Sequence, residues 1–230
     1  MDSVKKTLHP LTIAIRVAIK DVADPANASP MQAYMKSELP YRGVKAKPLQ
    51  LITKNLFKAY PITDQKEFER VVRELWDAEY REERYAAISA CEYYKKFQIL
   101  DSLSLYRFMI ETGAWWDLVD VIASHLVGGL LKRHQAVMKP IMWLWIDDPN
   151  IWIRRTALLS QLSFKKETDE AMLFEFCRGR MEEKDFWIRK AIGWVLREYS
   201  KTNPDSVRRF VEEERLRMSG LTLREASKYI

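Results

Sequence analysis

The 230-residue sequence has little glycine, cysteine or histidine. Average usage would give roughly 16 glycines, but there are only 7, and none falls in a GxGxxG or GxxxxGK spacing. Dinucleotide fingerprints and P-loops are therefore excluded. The two cysteines and three histidines cannot build a zinc cluster by themselves, and so few cysteines argue against a secreted disulfide scaffold. We accordingly expect neither a metal nor a cofactor.

Long hydrophobic runs are also missing. No segment reaches 18 uninterrupted apolar residues, and the N-terminus lacks the hydrophobic core of a signal peptide. The simplest prediction is a soluble, reduced, cytoplasmic protein without a membrane partner. Lys and Arg outnumber Asp and Glu by 38 to 32, which gives a formal net charge of +6. This excess permits a polyanionic partner without requiring one.

The residues that are present predict an all-α protein. Hydrophobic residues make up 47% of the chain, which is enough for a real core, and the apolar residues recur at helical spacings of three and four. Prolines mark the predicted breaks between about a dozen short helices. These breaks fall at Pro25, Pro40, Pro61, Pro149 and Pro204.

An internal repeat indicates how these helices are arranged. Residues 150–157 match residues 185–192 at an offset of 35, and further steps back reach 115–122 and 80–87. A period near 35 with two helices per unit is typical of an α-solenoid, and the Trp-Ile-Arg helix starts favour HEAT-like units over tetratricopeptide units. We therefore predict one HEAT-like domain over residues 1–230, built from stacked helix pairs with a concave basic face. The repeat is clearest over 80–200.

The repeat also brings chemically useful side chains together. Asp120, Arg155 and Lys190 occupy the same position in three successive units, so we expect them to line one face of the stack. Trp116 precedes Asp120 by four residues and Trp194 follows Lys190 by four, which places each tryptophan one turn away on the same helix face. A buried Asp120–Arg155 ion pair that joins two repeats is the alternative interpretation of that couple.

A carboxylate, two tryptophans and several cations suit a cationic substrate carried on a polyanion. Tryptophan faces attract cations, Asp120 would stabilise a developing positive charge, and Arg155 would hold a phosphate. Cleavage of the N-glycosidic bond of an alkylated purine in DNA fits, because an N3- or N7-alkylated base is already cationic and leaves without a general acid. One charge pair at 4 Å and an effective dielectric of 20 contributes about 4 kcal/mol, roughly a thousandfold in rate.

Three segments that carry these residues, 115–120, 150–155 and 190–199, resemble the AlkD family of bacterial DNA alkylation repair glycosylases. The resemblance extends from residues 31–36 to residues 223–226. It implies a HEAT-like fold and excision of cationic 3-methyladenine and 7-methylguanine from duplex DNA, without flipping the base into a pocket as most such enzymes do. It also implies a role in base excision repair, at the bacterial nucleoid.

The resemblance assigns roles to individual residues. Asp120 would be the catalytic carboxylate, which stabilises the sugar cation and positions water, and Trp116 and Trp194 would contact the deoxyribose. Arg155 would bind the DNA backbone, with Tyr34 and Arg197 as lesser members of the cleft. The other predicted DNA-contacting residues are Lys190, Arg154 and Arg189. Trp152 and Trp187, by contrast, stand at helix starts and are predicted to be packing residues.

Some features depart from the family pattern. Leu118 replaces a smaller polar residue that we would expect, the first 25 residues match poorly, and the chain stops at Ile230 inside a predicted helix, which is compatible with a longer natural chain. Some members of the family bind DNA without glycosylase activity, so the fold alone does not establish catalysis.

Our interpretation of the sequence is a monomeric, monofunctional DNA glycosylase for cationic alkylpurines that leaves an abasic site. Lys190 is the one lysine to check for Schiff-base chemistry. Two alternatives remain open. A non-catalytic binder of damaged or branched DNA would show salt-sensitive affinity without base release, and a protein-binding solenoid would lack a steep salt dependence of DNA binding.

Overall fold

The structure is a computed structural model that describes residues 7–230. Residues 1–6, on which part of the signal-peptide prediction falls, lie outside the described residues. Helices and their connections account for the whole described range, which contains no strand. The all-α prediction is therefore confirmed. The chain divides into two compact units, one ending at Ser102 and one running from Leu103 to Ile230, and the single-domain description stays a prediction.

Prolines mark several of the helix boundaries in the first unit. Pro25 begins α2, and Pro61 follows the end of α3. In α4 the residues spaced by three and four are fully buried, as the periodicity predicts. Over its described residues, 7–102, the unit contains five α-helices and two 3₁₀ turns: α1 (Pro10–Asp21), α2 (Pro25–Met35), α3 (Ala46–Ala59), α4 (Gln65–Trp76), α5 (Arg81–Tyr93), Lys95–Phe97 and Leu100–Ser102.

The second unit contains the repeat positions with the proposed chemistry. Its α-helices are α6 (Leu103–Gly113), α7 (Trp116–Val121), α8 (Gly128–Arg133), α9 (Gln135–Trp145), α10 (Ile151–Leu159), α11 (Glu170–Arg180), α12 (Phe186–Ser200), α13 (Pro204–Glu214) and α14 (Gly220–Ala226). Helices α7, α10, α12 and α14 pack in that order, each against the next or against its continuation. Pro149 and Pro204 lie at the predicted breaks.

Helix α7 continues without a break through a π-helical segment, Ile122–Val127, into α8. Such segments insert an extra residue per turn and shift the faces of the helix relative to one another. Ser124 lies in this segment and donates its hydroxyl to the carbonyl of Asp120 at 2.7 Å. At its end Gly128 lies so close to α10 that a Cβ would come within 2.4 Å of the Ser160 carbonyl oxygen. The π segment and this glycine together hold α7 against α10.

Candidate active site

Equivalent positions on three helices, one from each of three successive repeats, supply the central residues of the site. Asp120 is the fifth residue of α7, Arg155 the fifth of α10 and Lys190 the fifth of α12. The caps that begin the last two helices are equivalent as well, because Asn150 and Asp185 each accept the backbone N–H of the tryptophan two residues later. The repeat positions inferred from the sequence are therefore structurally equivalent.

Asp120 and Arg155 form a buried, bidentate ion pair. Arg155 Nε donates to Asp120 Oδ1 at 2.7 Å, and Nη2 donates to Oδ2 at 2.8 Å. Arg155 is 2% exposed and Asp120 is 9% exposed. The ion pair that the sequence left open as an alternative is thus present. Each carboxylate oxygen keeps one acceptor site, so the exposed edge of Asp120 can still bind a water molecule.

Arg155 also reaches the third helix of the series. Its Nη1 donates to the carbonyl oxygen of Trp187 at 2.5 Å, in the first turn of α12. One buried guanidinium therefore connects α7, α10 and α12 at the level of Asp120. This geometry fixes the orientation of the carboxylate, because both of its oxygens bond to a planar donor that is itself held by the next repeat.

Burial dominates the protonation of Asp120. Removal from water raises the pKa of this carboxyl above its usual range, and the hydrogen bonds and positive charge of Arg155 oppose part of that increase. The neighbouring carboxylate of Asp117 adds a smaller contribution in the raising direction. A pKa shifted by burial and by a specific charge partner makes Asp120 a candidate functional residue.

The tryptophans of these helices form two groups. Trp116 and Trp194, the predicted sugar contacts, are each half-buried, so part of each indole remains accessible. Trp152 and Trp187 pack against each other with ring centroids 5.7 Å apart, as predicted for packing residues. Trp115 completes this packing group at 5.4 Å from Trp187 and 6.2 Å from Trp152, a contribution that the sequence analysis missed.

Two of the predicted DNA-contacting residues in this unit, Arg154 and Arg189, donate hydrogen bonds to Glu183. Arg154 Nη2 donates to Glu183 Oε2 at 3.1 Å, and Arg189 Nε donates to the Glu183 carbonyl at 2.8 Å. These bonds fix the two side chains next to one another at the start of α12. Their contact with DNA stays a prediction.

Lys190 and Arg197 share a carboxylate that the sequence analysis did not single out. Lys190 Nζ lies 2.8 Å from Glu225 Oε1, and Arg197 Nη1 donates to Glu225 Oε2. Three cations, Lys190, Lys228 and Arg197, lower the pKa of the Glu225 carboxyl to about 2, and the hydrogen bond from Lys190 contributes most. Lys190 is thus paired with Glu225, and its contact with DNA stays a prediction.

Tyr34 belongs to the first unit, in the last turn of α2. Its side chain is 79% exposed. Its place in a DNA-binding site stays a prediction.

Comparisons with known proteins show the family of the chain. A family model described as DNA alkylation repair enzyme matches residues 15–230. Among solved structures, one described as a predicted DNA alkylation repair enzyme from Enterococcus faecalis is 32% identical with a TM-score of 0.83, covering 90% of this chain and 96% of that chain. No curated protein matches the chain significantly. The chain belongs to the DNA alkylation repair enzyme family.

Two more distant structures share the fold. Smu.31 from Streptococcus mutans UA159 is 17% identical with a TM-score of 0.66, covering 96% of this chain and 99% of that chain. AlkD2 from Streptococcus mutans is 19% identical with a TM-score of 0.63, covering 81% and 91% respectively. The HEAT-like helical-repeat fold expected from the 35-residue period is therefore confirmed. Between residues 7 and 230, no helix is long and apolar enough to cross a membrane.

Proposed function

We propose that this protein is a monofunctional DNA glycosylase that hydrolyses the N-glycosidic bond of cationic alkylated purines, 3-methyladenine and 7-methylguanine, in duplex DNA. The observation that carries the proposal is the Asp120 carboxylate, which is oriented by Arg155 and lies one turn from the half-buried Trp116. Membership of the DNA alkylation repair enzyme family supports DNA as the substrate.

The proposed mechanism uses the charge of the substrate itself. An N3- or N7-alkylated purine carries a positive charge, so its bond to the sugar breaks without protonation of the base. The sugar then develops oxocarbenium character, which the negative carboxylate of Asp120 stabilises. The free edge of the same carboxylate accepts a hydrogen bond from the water that attacks the sugar carbon, and the proton that this water loses passes through the carboxylate to solvent. The products are the free alkylated base and an abasic site.

The half-buried tryptophans supply the remaining surface. The indole face of Trp116 or Trp194 attracts a sugar that carries positive charge and excludes water from around it. Arg155 acts on the reaction through Asp120, because it orients the carboxylate. In the proposed mechanism the damaged base stays stacked in the DNA duplex. A purine with a bulky N3 or N7 adduct is therefore expected to be released as well as a methylated purine.

Release of 7-methylguanine and 3-methyladenine from methylated duplex DNA tests the proposal. We expect wild type to release both bases and Asp120→Asn to lose orders of magnitude in rate with DNA binding retained. Asp117→Asn is the matched control, since it makes the same change on the same helix three residues away. Equal release by wild type and Asp120→Asn would remove Asp120 from the mechanism. DNA binding by wild type without any release would instead support a non-catalytic binder of damaged DNA.

A further inference from the structure

A second carboxylate extends the series of repeat positions. Glu225 follows Lys190 by 35 residues, as Lys190 follows Arg155 and Arg155 follows Asp120. It lies on α14, which packs against α12. The four positions spaced by 35 residues therefore hold an acidic, a basic, a basic and an acidic residue. They form two ion pairs, Asp120 with Arg155 and Lys190 with Glu225.

Glu225 contacts α12 at one residue before Trp194 and at one residue after it. Lys190 precedes Trp194 by four residues and Arg197 follows it by three, so all three side chains share one face of α12. Oε1 of Glu225 pairs with Lys190 Nζ at 2.8 Å, and Oε2 accepts a hydrogen bond from Arg197 Nη1. A single carboxylate thus holds the two cations that flank Trp194.

The backbone of α12 is shaped for this contact. A Cβ added at Gly193 would lie 2.5 Å from the Cβ of Glu225 and 3.0 Å from the carbonyl oxygen of Thr222. Only glycine allows α14 to approach this closely. Glu225 is 7% exposed at this contact, so its carboxylate is placed by main-chain packing as well as by its own ion pairs.

We propose that Glu225 is a positioning residue for the glycosylase reaction, holding Lys190 and Arg197 in fixed places beside Trp194 so that they meet the DNA backbone in one geometry. The inference rests on the proposed function. The carboxylate orders these cations without cancelling their attraction for DNA, because Lys228 Nζ also lies 3.1 Å from Oε1. Three cations around one carboxylate leave the cluster with a net positive charge.

Glu225→Gln distinguishes the positioning of Lys190 and Arg197 from their electrostatic attraction for DNA. Glutamine keeps the shape at Gly193, but it removes the charge and replaces one acceptor with an NH₂ group, which cannot bond to a cation. Because the cluster gains one net positive charge, the affinity for undamaged duplex should hold or rise, with a salt slope steeper by about one unit. Base release at saturating protein in a single turnover should fall about 10- to 100-fold, since a small misplacement near the reacting sugar has this effect.

Glu198→Gln is the matched control. Glu198 also lies on α12 and pairs with Lys201 at 2.6 Å, so this variant makes the same change in charge away from the contact with α14. We expect its rate of base release to stay within about twofold of wild type. A second variant, Glu225→Asp, keeps the charge and should release base faster than Glu225→Gln. Equal rates for Glu225→Gln and Glu198→Gln would overturn the positioning role.

Amine labelling tests the ion pair independently of glycosylase activity. Lys190 and Lys201 are 35% and 47% exposed, so their acylation by an N-hydroxysuccinimide ester can be compared by peptide mass spectrometry. Glu225→Gln should raise labelling of Lys190 several-fold and leave Lys201 unchanged, whereas Glu198→Gln should do the reverse. Unchanged labelling of Lys190 would overturn the inference alone, while absent base release by wild type would overturn the proposed function.

Discussion

Removing the charge of Asp120 and then that of Arg155 gives a prediction whose size follows from Coulomb's law. A carboxylate about 4 Å from a sugar cation contributes about 4 kcal/mol at an effective dielectric of 20, and a guanidinium about 8 Å away opposes it by about 2 kcal/mol. Wild type therefore gains about 2 kcal/mol net, whereas Asp120→Asn retains only the opposing 2 kcal/mol. The difference of about 4 kcal/mol predicts a loss of roughly a thousandfold in single-turnover base release.

The double variant Asp120→Asn with Arg155→Met removes both charges. Its net electrostatic contribution is near zero, about 2 kcal/mol worse than wild type, so it should lose only about 30-fold. The free energy of unfolding should also be lower for Asp120→Asn than for the double variant. Asp120→Asn leaves Arg155, which is 2% exposed, without its partner charge, which costs about 3–5 kcal/mol. Urea denaturation of both variants measures this difference.

Single-turnover release of 7-methylguanine from a defined duplex, at a temperature where every variant is folded, measures the rates. A double variant that is as slow as Asp120→Asn or slower would refute the electrostatic argument. Asp117→Asn should stay within a few-fold of wild type, and a loss as large as that of Asp120→Asn would show that the effect is not specific to the carboxylate of Asp120.

Further predictions concern pH and packing. Because burial raises the pKa of Asp120, base release should fall on the acidic side at a pH above 3.8 in a rate–pH profile, and Asp120→Asn should lack that limb. The lowered pKa of Glu225, about 2 against 4.5, means that its stabilisation is complete above pH 4.5 and is lost as the pH falls towards 2; acid unfolding of Glu225→Gln should be flatter than that of wild type in this window. Gly193→Ala should destabilise by about 1–3 kcal/mol in urea, whereas Gly179→Ala, which meets nothing within 4 Å, should stabilise by about 0.5–1 kcal/mol. Ala114 has a φ of 40°, so Ala114→Gly should raise the free energy of unfolding in urea by about 1 kcal/mol.

The sequence predicted the helical architecture and the equivalence of Asp120, Arg155 and Lys190 because those features depend on periodicity alone. Apolar spacing determines which face of a helix is buried, and an identical offset places residues at the same point of successive units. The assignment of Trp152 and Trp187 to packing succeeded for the same reason, since both begin equivalent helices.

The partners of the charged side chains could not be predicted in this way. Periodicity does not show how a guanidinium points, so the sequence left two interpretations of Arg155, a contact with the DNA backbone and a buried ion pair with Asp120. The structure shows the ion pair, together with a bond to the Trp187 carbonyl that was not expected. Glu225 was missed because only Arg224 and Ala226 keep the residue types found 35 positions earlier. The offset itself was the signal that would have located it.

The most direct test of the central claim is analysis of both products after wild-type protein acts on methylated duplex DNA. Chromatography measures the released bases, and gel analysis before and after alkali detects abasic sites. The account predicts release of 7-methylguanine and 3-methyladenine with an equal yield of abasic sites, and no strand cleavage until alkali is added. Bound DNA with no released base, at protein concentrations that saturate binding, would contradict it.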